Sequence, residues 1–317
     1  MILTPEVLAI LILDALFLFF SMVAFVLSVK IFLKWDMNAT TQEQYSLEKQ
    51  SYLSATIIKY IFVIKLPLFL FFVFTLDKIS TLLTGAMCGA GVLDATDYGS
   101  YLLILKLVNL YIFGFWLTLH YLDIKSPNLP HTRLKFEFFI LAFIFLVVEI
   151  LLEVVMFGSI DIDRMVSCCG TLYSSSSTSA IGAIFSIDTT LLLGLFYGNF
   201  ALILFFYIMK YRYLFALANL IFLVVALISL IQFFGTYIYE LPTHHCPFCF
   251  LQSDYYYIGY LLYSLLFLGS FYGMRVGVLK MLGEYRDGRL SIILSALYVV
   301  LVTAYPIVYF IRNGVWL

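Results

Sequence analysis

Five cysteines are the residues whose types and spacing could do chemistry in this sequence: Cys88, Cys168, Cys169, Cys246 and Cys249. The last two form a Cys-Pro-Phe-Cys motif between two long apolar segments. Two residues between the cysteines let one sulfur attack a disulfide while the other resolves it, as in a redox couple. Because five is odd, paired disulfides alone would leave one thiol over. The motif is therefore compatible with a redox couple, a metal site or structural disulfides.

A metal site would use the two histidines that stand directly before the motif. The stretch His-His-Cys-Pro-Phe-Cys begins at His244 and His245 and offers up to four ligands. Thiolate and imidazole together select soft or borderline ions, with Cu(I) and Zn(II) foremost. Cys88 is a candidate ligand from another loop. The metal interpretation thus assigns Cys88, His244 and His245 to copper or zinc, together with the other cysteines.

Aromatic residues within and after the motif could contact a quinone. Phe248, Phe250 and Tyr255 would form a flat, apolar surface suited to a quinone ring. Aromatic residues are equally typical of the belt that anchors any helix at the membrane interface. Quinone binding by these three residues is a prediction, and the belt is the alternative.

The elements that must position these residues are membrane-spanning helices. The chain is 63% hydrophobic and only 12% charged, whereas soluble domains are about half apolar. A helix of about 20 apolar residues spans the roughly 30 Å hydrocarbon core and satisfies its own backbone hydrogen bonds. We therefore predict an all-α, polytopic membrane helix bundle that forms a single domain over residues 1–317. Its eight spans are expected at about residues 7–29, 53–76, 101–121, 137–157, 188–209, 213–238, 255–274 and 290–311.

The Lys and Arg residues outside the apolar segments fall mainly on one side of this bundle. Of the 18 Lys and Arg residues in the chain, three fall within the predicted spans, twelve lie in or beside the loops 30–52, 122–136, 210–212 and 275–289, and three lie at the opposite ends of the spans. Cytoplasmic loops retain positive charge, so we expect the basic loops inside and both termini outside. All five cysteines then lie in outer loops, where the compartment is oxidising. This arrangement predicts a multi-pass protein of the bacterial inner membrane.

With this topology the motif resembles a site of the disulfide-generating quinone reductases, namely the bacterial DsbB proteins and the vitamin K epoxide reductase family. Those families carry a CxxC at the outer start of a membrane helix and use a second cysteine pair in an outer loop to shuttle electrons. The resemblance implies that Cys246 and Cys249 are the membrane-proximal couple and that Cys168 and Cys169 stand in for the second pair. It also implies a quinone as the electron carrier.

Ionisable residues form a second constellation inside the predicted spans. Asp14, Lys65, Lys106, Glu149 and Glu153 all fall in apolar segments, where a charge is costly unless it is paired or hydrated. One interpretation is a set of ion pairs that fixes helix packing. The other is a proton or ion path toward the outer cysteines. Both interpretations require the lysines to lie beside the carboxylates.

The leading functional hypothesis is a membrane thiol–disulfide redox protein that exchanges electrons between periplasmic thiols and a quinone. Its partners would be the lipid bilayer, a periplasmic thiol protein and other membrane subunits. A copper- or zinc-handling protein and a non-catalytic subunit of a larger membrane complex are the alternatives. The net charge of −1 gives no indication of nucleic-acid binding.

The topology is testable with alkaline phosphatase fusions, because that enzyme becomes active only where its disulfides form. Fusions after residues 90, 170 and 248 are expected to be active, and fusions after residues 130 and 282 inactive. The measurement is phosphatase activity normalised to the amount of fusion protein. The inverse pattern would place the cysteines in the cytoplasm and contradict both the redox and the metal hypotheses.

Overall fold

The structure, a computed structural model, describes residues 2–36, 39, 41–126, 129–161, 165–166 and 187–317. This part of the chain is helical and contains no strand. Eight of its helices are long and apolar enough to cross a membrane. The predicted polytopic helix bundle is therefore confirmed: the chain is a multi-pass membrane protein whose environment is a lipid bilayer.

The eight spans lie over the predicted segments. The second span extends furthest beyond its prediction, because it begins at Gln42 and runs for 39 residues, about 58 Å at 1.5 Å per residue. Thr41 caps its start by accepting a hydrogen bond from the Gln44 backbone N–H. The spanning helices are α1 Pro5–Lys34, α2 Gln42–Ser80, α4 Gly99–Lys125, α5 Thr132–Ser159, α6 Thr189–Ile208, α7 Arg212–Ser229 with its continuation to Tyr239, α9 Ile258–Met281 and α10 Arg289–Asn313, and a short helix α3 covers Gly89–Asp94.

The sixth span changes its helix type near its end. Helix α7 continues through a π-helical turn at Leu230–Phe234 into the short α-helix α8, Gly235–Tyr239. A π turn is a local insertion within an α-helix and is frequent at functional sites. The span stops at Glu240, whose backbone is left-handed with φ of 53°. The chain then enters the segment that carries the Cys-Pro-Phe-Cys motif.

The helices group into two compact units, each with four of the spans. Unit 1 comprises Met1–Thr84 and Val92–Val166, and unit 2 comprises Gly85–Gly91 and Ser167–Leu317. The short segment Gly85–Gly91, which contains Cys88, therefore belongs to the same unit as the motif. The single domain expected over residues 1–317 stays a prediction.

Unit 1 packs around an aromatic core. Helices α1 and α4 each pack against both α2 and α5. The Phe62 and Phe113 rings stack at 4.2 Å between centroids, and the Trp116 ring meets Phe62 edge-on at 5.4 Å. The Trp116 indole N–H donates to the Lys135 carbonyl at 3.0 Å, so this buried ring leaves no polar atom without a partner.

Unit 2 is held by the close approach of α9 to α7. A Cβ atom at Gly273 would lie 2.1 to 2.4 Å from the side-chain atoms of Asn219, so only glycine fits there. The Asn219 amide donates to the Phe215 carbonyl at 2.8 Å, and its oxygen accepts from the Ser291 hydroxyl at 2.9 Å. Small residues that let backbones approach, with buried polar side chains bonded between helices, are the usual contacts of helices in lipid.

The Gly273 contact predicts a stability difference between two glycine substitutions. Gly273→Ala is expected to lower the free energy of unfolding by about 1–3 kcal/mol, the usual cost of overpacking, because the new methyl overlaps Asn219. Gly198→Ala is the matched control, since no atom lies within 4 Å of its added Cβ. Unfolding of the purified protein in mixed micelles by added SDS measures the difference. Equal stability of the two variants would contradict this description of the interface.

Candidate functional site

The structure brings three of the five cysteines together. The Cys88 and Cys246 sulfurs are 3.4 Å apart, and the Cys249 sulfur lies within 4.8 Å of both. The closest pair is farther apart than the about 2.05 Å of an S–S bond. Their exposed fractions are 0%, 1% and 6% for Cys88, Cys246 and Cys249. The three residues, here called the sulfur cluster, are buried in unit 2.

Two tyrosine hydroxyls hold the backbone of the motif. The Tyr239 hydroxyl, at the end of α8, donates to the Cys246 carbonyl at 2.5 Å and accepts from the Phe250 backbone N–H at 3.1 Å. The Tyr263 hydroxyl, in α9, donates to the Pro247 carbonyl at 2.8 Å. The ends of the helices before and after the motif therefore fix its conformation. Within the motif, the Phe248 N–H donates to the Cys246 sulfur at 3.4 Å.

Cys88 reaches the motif from the segment that precedes α3. The Gly91 backbone N–H donates to the Cys88 carbonyl at 3.0 Å, which turns the chain just before the helix. The Gln252 side chain donates to the Met87 carbonyl at 3.0 Å and ties this turn to the residues after the motif. Cys88 is therefore buried in a turn that a hydrogen bond joins to the loop of the motif, and it does not lie on a membrane-spanning helix.

The aromatic residues predicted to contact a quinone have different environments. Phe250 is fully buried, and its ring lies 5.8 Å from that of Tyr239 and 5.5 Å from that of Tyr263. Phe248 is also buried, whereas Tyr255 is half-buried. Burial raises the pKa of the Tyr255 hydroxyl above its usual value. The two phenylalanines pack inside the loop, and quinone contact by the three residues stays a prediction.

The two histidines lie beside the motif but outside the sulfur cluster. The His244 ring stands edge-on to Tyr239 at 4.4 Å between centroids. The His245 Nδ1 lies 3.2 Å from the Ile231 carbonyl oxygen, in the π turn. Among the residues that the structure describes, the group of metal-ligand atoms within 4.8 Å of one another contains the three sulfurs and no histidine nitrogen. A role of His244 and His245 as ligands stays a prediction.

Cys168 and Cys169 lie outside the described residues. Their assignment as an electron relay or as metal ligands therefore remains a prediction from the sequence.

The ionisable residues of the spans form a buried network in unit 1. The Lys65 ammonium lies 2.6 Å from an Asp14 carboxylate oxygen and 3.1 Å from a Glu149 oxygen. The Lys106 ammonium lies 3.0 Å from the same Glu149 oxygen and 2.7 Å from a Glu153 oxygen. The pairing that burial in hydrocarbon requires is thus present. These five residues are called the charge network below.

Several residues that support these sites give only weak sequence signals. Asn109 donates to a Glu149 oxygen at 2.5 Å. In the sequence it is recognisable only as a polar residue in an apolar span, one helical turn from Lys106. Tyr239 and Tyr263 are two of 24 tyrosines, and nothing in their spacing distinguishes them from an aromatic belt. Asp123 and Lys135 form a buried ion pair at 2.5 Å, although the sequence places both in or beside a loop.

Comparison with protein-family models, with curated proteins and with solved structures finds no match for this chain. The resemblance of the motif to the thiol–quinone oxidoreductases therefore stays local. The site itself supports a coarser statement: a membrane-helix bundle with a buried cluster of three cysteines fits a membrane redox role or a metal role.

The tyrosine hydrogen bonds predict how the sulfur cluster is kept buried. Tyr239→Phe removes a donor to the Cys246 carbonyl and an acceptor for the Phe250 N–H, and a buried group left unsatisfied costs about 1–3 kcal/mol. The motif should therefore open more often, and maleimide should label the cysteines about tenfold faster or more. Tyr256→Phe is the matched control, because Tyr256 is 93% exposed. Equal labelling rates in the two variants would show that Tyr239 does not hold the motif.

Proposed function

We propose that this protein is a membrane thiol–disulfide redox protein that passes electrons from periplasmic thiols to a quinone. The observation that carries the proposal is the distance of 3.4 Å between the Cys88 and Cys246 sulfurs, with the Cys249 sulfur within 4.8 Å of both. In thiol–disulfide exchange, a thiolate attacks one sulfur of a disulfide, so the reaction needs three sulfurs close together. A structural disulfide has no use for a third cysteine beside it.

Cys246 is the shared sulfur in this mechanism. With a Cys246–Cys249 disulfide, the Cys88 thiolate attacks the Cys246 sulfur, forms a Cys88–Cys246 disulfide and releases the Cys249 thiolate. The Cys249 thiolate reverses the step by attacking the same sulfur. No net oxidation occurs in this exchange, because one S–S bond forms as another breaks. The cluster can therefore move a disulfide between two positions.

The complete cycle transfers two electrons and two protons. A reduced partner dithiol gives its electrons to the cluster disulfide, which leaves a partner disulfide and two cluster thiols. The two cluster thiols then reduce the quinone to a quinol, and the cluster disulfide forms again. The oxidant is the quinone, which suits a site at the outer start of a membrane helix. By the charge distribution this face is the periplasmic side of a bacterial inner membrane.

The burial of the sulfur cluster supports an indirect route for electrons from the partner. A sulfur with an exposed fraction of 6% or less gives a folded protein little access, and access limits exchange rates. Cys168 and Cys169, in the same predicted outer region, would receive electrons from the partner and pass them to the cluster. A small apolar quinone, in contrast, can enter from the bilayer.

Unit 2 also has a cleft of a kind that can hold a quinone, although the residues that line it do not include the sulfur cluster or Phe248, Phe250 and Tyr255. It has a volume of about 460 Å³ and is lined mainly by apolar and aromatic side chains, among them Tyr197, Phe233, Tyr237 and Trp316. The Tyr197 and Thr303 hydroxyls hydrogen-bond to each other at 2.9 Å and give this lining a polar group. Apolar walls with a few placed polar groups are typical of small-molecule sites.

A metal role is the second candidate, and the same cluster favours it. Three thiolates can bind Cu(I), which soft sulfur ligands select. Zn–S bonds of about 2.3 Å would place two sulfurs about 4 Å apart, which is close to the spacing of the cluster. Because no histidine nitrogen belongs to the cluster among the described residues, copper fits better than zinc, which prefers four ligands.

Redox titration with single cysteine variants tests the proposal. The purified protein is equilibrated in thiol–disulfide buffers of varied potential, alkylated with a mass tag and resolved on a gel. The wild type should show a two-electron transition and should reduce a soluble quinone in the presence of a dithiol. Cys246→Ser should abolish both, because it removes the sulfur that both disulfides share, whereas Cys249→Ser should abolish turnover but leave the transition of a Cys88–Cys246 disulfide. Cys88→Ser should retain the transition of the couple but lose turnover with a protein dithiol.

The histidines separate the redox proposal from the metal alternative. In the redox mechanism they only modify the charge near the thiols, so His245→Ala should slow turnover by less than about tenfold. In the metal alternative, a ligand histidine would be as necessary as a cysteine. Bound copper or zinc in stoichiometric amount that is lost in Cys246→Ser would reverse the assignment, and equal loss in His245→Ala would add that histidine to the three sulfur ligands. A protein with neither metal nor a redox transition would instead indicate a non-catalytic subunit.

A further inference from the structure

The charge network is a chain of alternating charges that begins and ends in a carboxylate. It runs from Asp14 on α1 to Lys65 on α2, then to Glu149 on α5, Lys106 on α4 and Glu153 on α5, with N–O distances of 2.6, 3.1, 3.0 and 2.7 Å. All five side chains are buried in unit 1. The two terminal carboxyl groups therefore have a lysine on one side only.

Each of these terminal carboxyl groups has one buried oxygen outside the ion pairs. Asp14 Oδ2 and Glu153 Oε1 are buried, and neither accepts a hydrogen bond from any donor in the described residues. The two side chains lie within hydrogen-bonding reach of each other. An ionised carboxylate only accepts hydrogen bonds, whereas a protonated one also donates. The contact becomes a hydrogen bond only when one of the two groups carries a proton.

The count of charges leads to the same requirement. With every group ionised, the network holds three negative and two positive charges, a net charge of −1. The other polar group bonded to it, Asn109, is neutral and bonds to Glu149. The Lys65 ammonium lies 5.8 Å from the centroid of the Phe17 ring, and the Lys106 ammonium lies 4.5 Å from that of Phe72. Neither ring carries a net charge. A net charge in the hydrocarbon region is costly, and one proton removes it.

We propose that the charge network is a proton-binding site within the membrane, in which Asp14 and Glu153 share one proton. The proton lies on either carboxyl group and is donated to the facing oxygen of the other. Lys65 and Lys106 stay positively charged and hold the remaining carboxylate charges. The site takes up and releases one proton without breaking the four ion-pair contacts.

A proton fits this site better than a metal cation does. Hard cations such as Ca²⁺ take about six to eight oxygen ligands. In the described part of the chain, the groups that could hold a metal ion include no set of three carboxylates, because the lysines lie between them. Two facing oxygens are enough for a proton.

Labelling with dicyclohexylcarbodiimide tests the proposal on the whole protein in micelles. This apolar reagent adds to a protonated carboxyl group: the proton moves to a carbodiimide nitrogen, and the carboxyl oxygen bonds to the central carbon. Peptide mass spectrometry should find the adduct on Asp14 or Glu153. Once the site loses its proton at alkaline pH, labelling should fall about tenfold per pH unit.

Single substitutions test whether the two residues share one proton. In Glu153→Gln the network holds two negative and two positive charges, so Asp14 needs no proton and its labelling should disappear. Asp14→Asn should abolish labelling of Glu153 for the same reason. Lys106→Met removes a positive charge and should increase labelling. Glu6→Gln, outside the network, is the control and should leave it unchanged.

Two results would overturn the proposal. The first is undiminished labelling of Asp14 in a Glu153→Gln protein that elutes and melts like the wild type, which would mean independent protonation. The second is an absence of labelling in the wild type between about pH 5 and about pH 9, the range above the ordinary carboxyl pKa, together with a melting temperature that sodium ions raise. If Glu153→Gln does not fold, infrared spectroscopy of the wild type is the deciding test. A shared proton requires the carbonyl band of a protonated carboxyl group, and this band must disappear as the pH is raised.

Discussion

Inside a bilayer no hydrophobic force drives one helix against another, because lipid tails are as apolar as the side chains that face them. Helices must associate through packing and polar contacts, and the two units do so differently. Unit 1 joins its four helices through buried charges, and breaking such a pair by removing one partner costs about 3–5 kcal/mol. Unit 2 relies on the close approach at Gly273 and on the hydrogen bonds of Asn219 and Ser291.

The two modes of association suit the two candidate sites. The charge network has its ionisable groups within the spans, where the ion-pair partners of each group replace the water that would otherwise solvate it. The sulfur cluster lies in loops, and its position depends on the helices before and after the motif. Tyr239 and Tyr263 attach the motif to these helices through hydrogen bonds to the Cys246 and Pro247 carbonyls. The Cys246 thiol thus remains buried while the backbone of the motif is attached to two spans.

The spans could be predicted from the sequence because length and apolar composition are enough to define them. For the buried charges, the sequence predicted that Lys65 and Lys106 must have partners, but the partners depend on which helices are neighbours. The contact of Cys88 with Cys246 joins residues 158 positions apart, and no local pattern encodes it. The roles of Tyr239 and Gln252 were hidden for a different reason, since a tyrosine or glutamine at a membrane interface is unremarkable. The orientation in the membrane and the role of Cys168 and Cys169 stay predictions.

The π turn at Leu230–Phe234 has a consequence for how this site could change over evolutionary time. Compared with a continuous α-helix, such a turn accommodates one extra residue, and each residue corresponds to about 100° of rotation around the helix axis. Loss of one residue there would restore regular winding and leave the span nearly as long. It would also keep Tyr239 on the side that faces the Cys246 carbonyl, whereas loss of a residue from the regular α-helical part would rotate Tyr239 by about 100°. The π turn therefore lets the sixth span gain or lose one residue in evolution while the cysteine loop stays attached to the membrane anchor.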